Sequence, residues 1–158
     1  MRRLFQAAVV LGLLGIAPLA RAGIIVEGSV GKGAKLSPSP AAAEPTNIMI
    51  APGVTLASLL RLEVGFVWDL PDVGPKKNDF EVRPMLVVAP PLLPIYGRAI
   101  FAVTDLAHTV HVAWGAAGGV AIGIGNIGVF AEAGILPRSR DSRLNWVVEG
   151  RLGAYVGF

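Results

Sequence analysis

Two polar segments of the chain hold side chains of the types that act together in nucleophilic catalysis. In such catalysis a hydroxyl attacks the substrate and an imidazole takes up its proton, provided that the groups lie within hydrogen-bond reach. Histidine and serine are also common in exposed loops, so we predict no catalytic residue and keep an enzyme only as the third interpretation. The candidate residues are Asp105, His108, His111, Ser139 and Ser142.

The second of these segments, PRSRDSR, also concentrates positive charge through Arg138, Arg140 and Arg143. Guanidinium groups match the geometry of phosphate oxygens, so the segment is a candidate phosphate-binding surface, with a solvated loop as the alternative. No spacing of carboxylates or histidines predicts a metal site. The glycine-rich GIGNIG lacks the strand-then-helix context of a phosphate loop, so no cofactor is expected.

A larger set of charges is regularly spaced. Five glutamates and four arginines occupy alternate positions in segments whose other positions are apolar. Such charges can pair across an enclosed interior, where an unpaired charge would be costly, whereas on a water-facing sheet they need no partner. We predict a charge network in the interior that these segments enclose. Its members are Glu27, Arg61, Glu63, Glu81, Arg83, Arg98, Glu132, Glu149 and Arg151.

The elements that must position these residues are β-strands, because the alternation has a period of two. In the third segment, Leu62, Val64 and Phe66 share one face, while Arg61 and Glu63 share the other. Eight segments show this pattern. They cover residues 24–30, 47–56, 59–68, 80–88, 95–103, 112–122, 127–135 and 145–158.

Strand alternation does not say which face meets water, because a soluble β-sandwich also has one apolar and one polar face. The composition favours lipid: mean hydropathy is +0.61 and 16% of residues are charged, against about a quarter in typical soluble domains. A transmembrane helix over residues 115–136 is the other alternative. Its glycines and Glu132 disfavour it, and Gly125-Asn126 is typical of a hairpin turn.

The connections and the tryptophans favour a membrane barrel. Long polar connections such as GKGAKLSPSPAAAEPT and DLPDVGPKKND alternate with shorter ones, as in outer-membrane barrels. Trp68 ends the third segment, and Trp114 and Trp146 begin the sixth and eighth, so all three belong near the long connections on the apolar face. Indole rings favour the membrane–water boundary, and we predict that these three form an aromatic girdle.

We therefore predict an all-β fold, a closed antiparallel up-and-down transmembrane β-barrel. Spanning strands of about 9–11 residues favour about eight of them. Pro52 and Pro84 fall inside strands, where a closed barrel offers no free edge, so we expect a β-bulge at each. Side chains can just fill an eight-stranded lumen, and we expect Phe130 to lean over the small inner residues of the sixth strand.

Residues 1–22 have the layout of a signal peptide: a basic MRR, the apolar LFQAAVVLGLL, and small residues at Ala20 and Ala22. We predict cleavage before Gly23, which leaves residues 23–158 as the barrel domain. The apolar run is too short for a transmembrane anchor of roughly 20 residues. The three leader arginines account for the formal net charge of +3, so no nucleic-acid partner is predicted, and the absence of cysteine excludes disulfides.

Over nearly all of residues 23–158 the sequence resembles the small eight-stranded outer-membrane β-barrel proteins of Gram-negative bacteria, of the OmpX and OmpA-transmembrane type. The resemblance implies that the last strand, aromatic at its end and apolar at alternate positions before it, closes the barrel and is read by the barrel-assembly machinery. Some barrels of this size modify lipid A, which is the basis of the enzyme interpretation. The matching C-terminal residues are Leu152, Ala154, Val156 and Phe158.

We accordingly predict a monomer in the cell outer membrane, exported by a cleaved signal peptide, with a structural or surface-interaction role and a lumen largely plugged by charge. Its expected partners are outer-membrane lipid, lipopolysaccharide and, during biogenesis, the assembly machinery. Arg138, Arg140 and Arg143 are the candidate lipopolysaccharide contact. The first alternative is a narrow porin-like channel for small solutes, and the second is the lipid A-modifying enzyme.

Overall fold

The computed structural model describes residues 23–37, 43–57, 59–70, 80–91, 93–104, 110–140 and 143–158. The predicted signal peptide lies outside this part of the chain. Eight antiparallel strands close into a barrel in sequence order, which confirms the predicted fold. The strands are β1 (Gly23–Ser37), β2 (Asn47–Ala57), β3 (Leu60–Asp69), β4 (Phe80–Val88), β5 (Ile95–Thr104), β6 (His111–Ile124), β7 (Ile127–Arg140) and β8 (Arg143–Gly157).

Among these residues no helix is both long and apolar enough to cross a membrane.

The alternation in the sequence corresponds to the inner and outer faces of the barrel wall. Along β5, the side chains of Tyr96, Arg98 and Ile100 are buried in the barrel, whereas Ile95 and Phe101 are exposed on its outer face. The same two-residue period runs through the other strands, since successive side chains of a strand point to opposite faces. The outer surface is therefore apolar and the inner surface carries the charges, as in barrels that face lipid.

The barrel has two distinct ends. At the loop end, residues 38–46, 70–79, 105–110 and 141–142 connect the strands; at the turn end, residues 58–59, 89–94 and 125–126 do so. Gly125 has a φ of 62°, the left-handed conformation that tight hairpins require. The first and last strands pair from Ile25 to Ser37, and at the turn end the Phe158 amide donates to the Ile24 carbonyl at 2.8 Å. This closure leaves no free edge.

Two segments that the sequence predicted as loops are strands. β1 continues through GKGAKLS to Ser37, and β7 and β8 leave only residues 141–142 between them, so most of PRSRDSR is paired backbone. The loop prediction for both segments is wrong. The reason is physical: apolar alternation marks a strand only where one face needs burial or lipid, whereas backbone pairing of small and polar residues leaves no such pattern.

The β-bulges expected at the prolines are also absent from the described strands. Pro52 pairs with Val26 of β1 in unbroken register, and Pro84 pairs with Val64 of β3 in the same way. On its other side, each proline interrupts the ladder for two residues, after which pairing resumes in the same register. Each proline thus loses ladder pairing towards one neighbour without displacing the strand.

Candidate functional site: the charged lumen

All nine charged residues predicted for the interior take inward-facing positions, and each takes part in at least one ion pair. Glu27, Glu63 and Arg98 are 1–2% exposed, and Arg83 is 1% exposed. Charges so far from water need partners, because an uncompensated buried charge is strongly destabilising. The pairs fall into three groups along the barrel.

The group nearest the turn end is centred on Arg98 of β5. Its guanidinium contacts Glu27 at 2.6 Å, Glu63 at 3.4 Å and Glu132 at 3.5 Å. Arg61 lies 3.5 Å from Glu27 and 3.4 Å from Glu63. Two arginines therefore hold three carboxylates that come from three different strands.

The middle group is centred on Glu149 of β8. Its carboxylate accepts hydrogen bonds from Arg83 at 2.9 Å, from Arg151 at 2.5 Å and from the amide of Asn47 at 3.1 Å. Arg83 also donates to Glu81 at 2.9 Å, and Arg151 to the Asn47 side-chain oxygen at 2.6 Å. This group is hydrogen-bonded on most of its polar atoms, which is the condition for keeping charges buried.

The group nearest the loop end is centred on Arg138 of β7. Its guanidinium contacts Asp69 at 2.7 Å, Glu81 at 3.3 Å and Glu44 at 3.9 Å, and the residue is 5% exposed. The prediction that Arg138 forms a surface cluster with Arg140 and Arg143 is therefore wrong for Arg138. The prediction failed because Arg138 lies in a strand, β7, with its side chain towards the lumen, and not in a loop.

Sequence reasoning missed several members of the network, among them Glu44, Asn47, Asp69 and Arg138. The alternation in the second segment already placed Asn47 on the inward face, so its position could have been predicted. Asp69 and Arg138 lay at or beyond the predicted strand ends, and Glu44 lay in a predicted loop. No sequence signal places a loop carboxylate inside a barrel mouth.

Three of the ion pairs cross the full width of the barrel. In a closed barrel of eight strands in sequential order, strands four apart lie on opposite walls, so β1 faces β5, β3 faces β7 and β4 faces β8. Each of these three opposite pairs is joined by one short ion pair. The three are Glu27–Arg98 at 2.6 Å, Asp69–Arg138 at 2.7 Å and Arg83–Glu149 at 2.9 Å.

Beneath the Arg98 group, aromatic rings fill the lumen towards the turn end. The rings of Tyr96 and Phe130 meet edge to face, with centroids 6.2 Å apart, and together with Val87 they form one buried cluster. The Tyr96 hydroxyl donates to Glu132 at 2.8 Å, and the Arg98 guanidinium lies 5.5 Å and 5.7 Å from the two ring centroids. Phe130 faces the lumen and is the register partner of Ala121 of β6, which packs against the same cluster.

The three tryptophans lie on the outer face, where Trp68, Trp114 and Trp146 are 36%, 73% and 48% exposed. Trp68 packs against Phe80 with ring centroids 5.5 Å apart, and Trp146 pairs with Pro137 across β7 and β8. Their role as a girdle at the membrane boundary stays a prediction.

Of the residues considered as catalytic, His111 is the one whose side chain lies in the described part of the chain. His111 begins β6 and pairs with Thr104. Asp105, His108 and Ser142 lie outside the described residues, as does the side chain of Ser139. Within the described ranges, no group of three or more acidic or histidine side chains could hold a metal ion.

Solved structures share this architecture. Neisserial surface protein A matches with a TM-score of 0.58 and 16% identity, over 87% of this chain and 98% of its own. The attachment invasion locus protein Ail of Yersinia pestis matches with a TM-score of 0.56 and 11% identity, over 87% and 99%.

The N-terminal β-barrel domain of Pseudomonas aeruginosa OprF matches with a TM-score of 0.50 and 13% identity, over 87% of this chain and 100% of that domain. The chain has the fold of the small eight-stranded outer-membrane barrels. Identities this low show the outer-membrane barrel fold alone. No family model matches the sequence, and no curated protein is similar to it in sequence.

Proposed function

We propose that this protein is an integral outer-membrane barrel with a sealed lumen and a structural or surface-interaction role. The observation that carries the proposal is the set of three ion pairs that join opposite walls of the barrel. Each occupies a different level, from Asp69–Arg138 near the loop end, through Arg83–Glu149, to Glu27–Arg98 nearer the turn end. A solute would have to pass all three.

The energy of these barriers supports a closed state. Breaking a buried ion pair so that one charge loses its partner costs about 3–5 kcal/mol, and a passing ion would have to disturb three such groups in succession. At the turn end, the apolar cluster of Tyr96, Phe130 and Val87 adds a constriction that offers few polar groups to replace the water around a passing ion. The charges therefore act as cross-links between the walls rather than as the lining of a wet path.

Location in the outer membrane is the second part of the proposal. The apolar outer face, the exposed tryptophans and the sequence of residues 1–22 support export and insertion there. We propose outer-membrane lipid and lipopolysaccharide as partners, together with the assembly machinery that would read Leu152 to Phe158. Since Arg138 is held inside the barrel, a lipopolysaccharide contact at this hairpin would rest on Arg140 and Arg143.

Single-channel conductance tests the sealed lumen. Residues 23–158 are refolded in detergent, folding is checked by the heat-dependent gel shift of barrels, and insertion is checked by flotation with vesicles. We expect no discrete conductance steps in a planar bilayer. Steady, discrete openings from protein that passes both checks would replace the proposal with the narrow channel, in which Arg61, Arg83, Arg98 and Arg151 become candidate selectivity residues.

A further inference from the structure

An apolar groove of about 700 Å³ lies on the outer face of the wall that β2 to β6 form. Its lining includes both strand prolines, Pro52 and Pro84, with the small Ala99 beside them and Phe101 and Trp114 towards β6. The volume falls within the range of small-molecule sites. Because it opens on the lipid-facing side, an occupant must be a component of the membrane.

The surface of the groove is almost wholly apolar, and the two prolines leave backbone acceptors beside it without their ladder donors. The ladder between β2 and β3 skips Pro52, which the register places opposite Val64. The ladder between β4 and β5 skips Pro84, which the register places opposite Phe101. Proline has no backbone N–H. In each case the carbonyl of the facing residue loses the ladder donor that any other amino acid would supply.

Both facing residues, Val64 and Phe101, line the groove. A backbone carbonyl without a donor is costly in hydrocarbon, because no water is present to take the donor's place. The groove therefore combines an apolar lining with two acceptors that lack their strand donors. An unsubstituted acyl chain would fill the space but leave the acceptors unpaired.

We propose that the groove binds a hydroxylated acyl chain of a membrane lipid, whose hydroxyl donates to the carbonyl of Val64 or Phe101. The chain lies along Pro52 and Pro84 and reaches Trp114 at the far end. The site needs only the lipid-facing fold of the barrel and is independent of whether the lumen conducts, so its failure leaves the sealed-lumen proposal standing, and the reverse also holds.

Trp114 provides the readout. A variant with Trp68→Phe and Trp146→Phe leaves Trp114 as the single indole, and it is placed in phosphatidylcholine vesicles with a dibrominated fatty acid or with its β-hydroxylated analogue. We expect half-quenching at a mole fraction about three- to tenfold lower for the hydroxylated acid, the preference that one net hydrogen bond gives. A matched variant that keeps only Trp146, outside the groove lining, should show no preference.

Two further variants separate the apolar and the polar contributions. Replacing both prolines, Pro52→Ala and Pro84→Ala, restores the ladder N–H groups, so quenching should persist while the preference disappears. Ala99→Leu fills the groove and should raise the half-quenching mole fraction of both acids, whereas the matched Ala133→Leu, on the exposed face of β7, should not.

Equal quenching by both acids in the variant that keeps only Trp114 would overturn the proposal, as would a preference that survives restoration of the ladder N–H groups. Self-association through this face, seen as a dimer in sedimentation that Ala99→Leu abolishes, would instead assign the groove to a second copy of the chain.

Discussion

Replacing Arg98 by alanine tests whether the lumen charges act as one paired network. Arg98 is 2% exposed, and its guanidinium lies 2.6 Å from Glu27, 3.4 Å from Glu63 and 3.5 Å from Glu132. The substitution removes the one cation that contacts all three carboxylates and leaves only the longer contacts, from Arg61 to Glu27 and Glu63 and from Arg151 to Glu132.

The magnitude follows from the closest contact. Loss of one partner of a buried ion pair costs about 3–5 kcal/mol; the two longer contacts add less, because interactions weaken beyond hydrogen-bond distance. The contacts of Arg98 with the Tyr96 and Phe130 rings would add about 0.5–2 kcal/mol. Protonation or hydration of a carboxylate would return part of this. We expect a loss of about 3–5 kcal/mol in the free energy of unfolding.

The assay is reversible urea unfolding in phospholipid vesicles, followed by tryptophan fluorescence and by the gel shift. Arg98→Lys is the matched control, since it keeps the charge but loses the guanidinium fork, and it should recover only part of the stability. Glu27→Gln, alone and combined with Arg98→Ala, completes a double-mutant cycle for the 2.6 Å pair.

A loss below about 1 kcal/mol for Arg98→Ala, or a coupling energy near zero with Glu27, would refute the reasoning. Either result would mean that water already screens these charges. The ion pairs could then no longer be regarded as barriers, and the conductance measurement would decide the function alone.

Three other predictions concern packing, assembly and export. Gly153→Ala should destabilise the barrel by about 1–3 kcal/mol, because a Cβ there would lie 2.5 Å from Phe130 Cζ and 2.6 Å from a backbone oxygen; Gly150→Ala on the same strand, with nothing within 4 Å, should match the parent in urea unfolding. Phe158→Ala should slow insertion in cells, because the terminal aromatic residue is the part of the last strand that the assembly machinery would read; a normal insertion rate would contradict the assembly role. Mass spectrometry of outer-membrane material should find a protein that begins at Gly23, and retention of the leader would contradict cleavage.

The sequence predicted the fold because lipid imposes a strict rule on every spanning strand. Ile95 and Phe101 face lipid while Tyr96 and Arg98 face the lumen, and this alternation is visible without any knowledge of pairing. Beyond the lipid-facing segments, strands need not alternate between apolar and polar residues. The extensions of β1 and β7 carry small and polar residues, so their pairing depends on the neighbouring backbone and was not predicted.

The partners within the lumen could not be predicted from the sequence. The inward phase of Arg98 and Glu27 was readable, but their contact joins strands on opposite walls and depends on the register of every strand between them. The prolines show a similar limit. Whether a proline causes a bulge or only interrupts one ladder depends on how the facing strand accommodates it, and a single strand's sequence does not contain that information.

The three wall-to-wall ion pairs also bear on how the barrel responds to mechanical load. A hollow tube flattens easily, because its wall can bend without stretching. Bars along the β1–β5, β3–β7 and β4–β8 diameters brace the cross-section in three directions, so lateral pressure in one direction compresses at least one of them. When bilayer thickness or tension changes, such a braced cylinder should respond by tilting as a rigid body and keep its round cross-section.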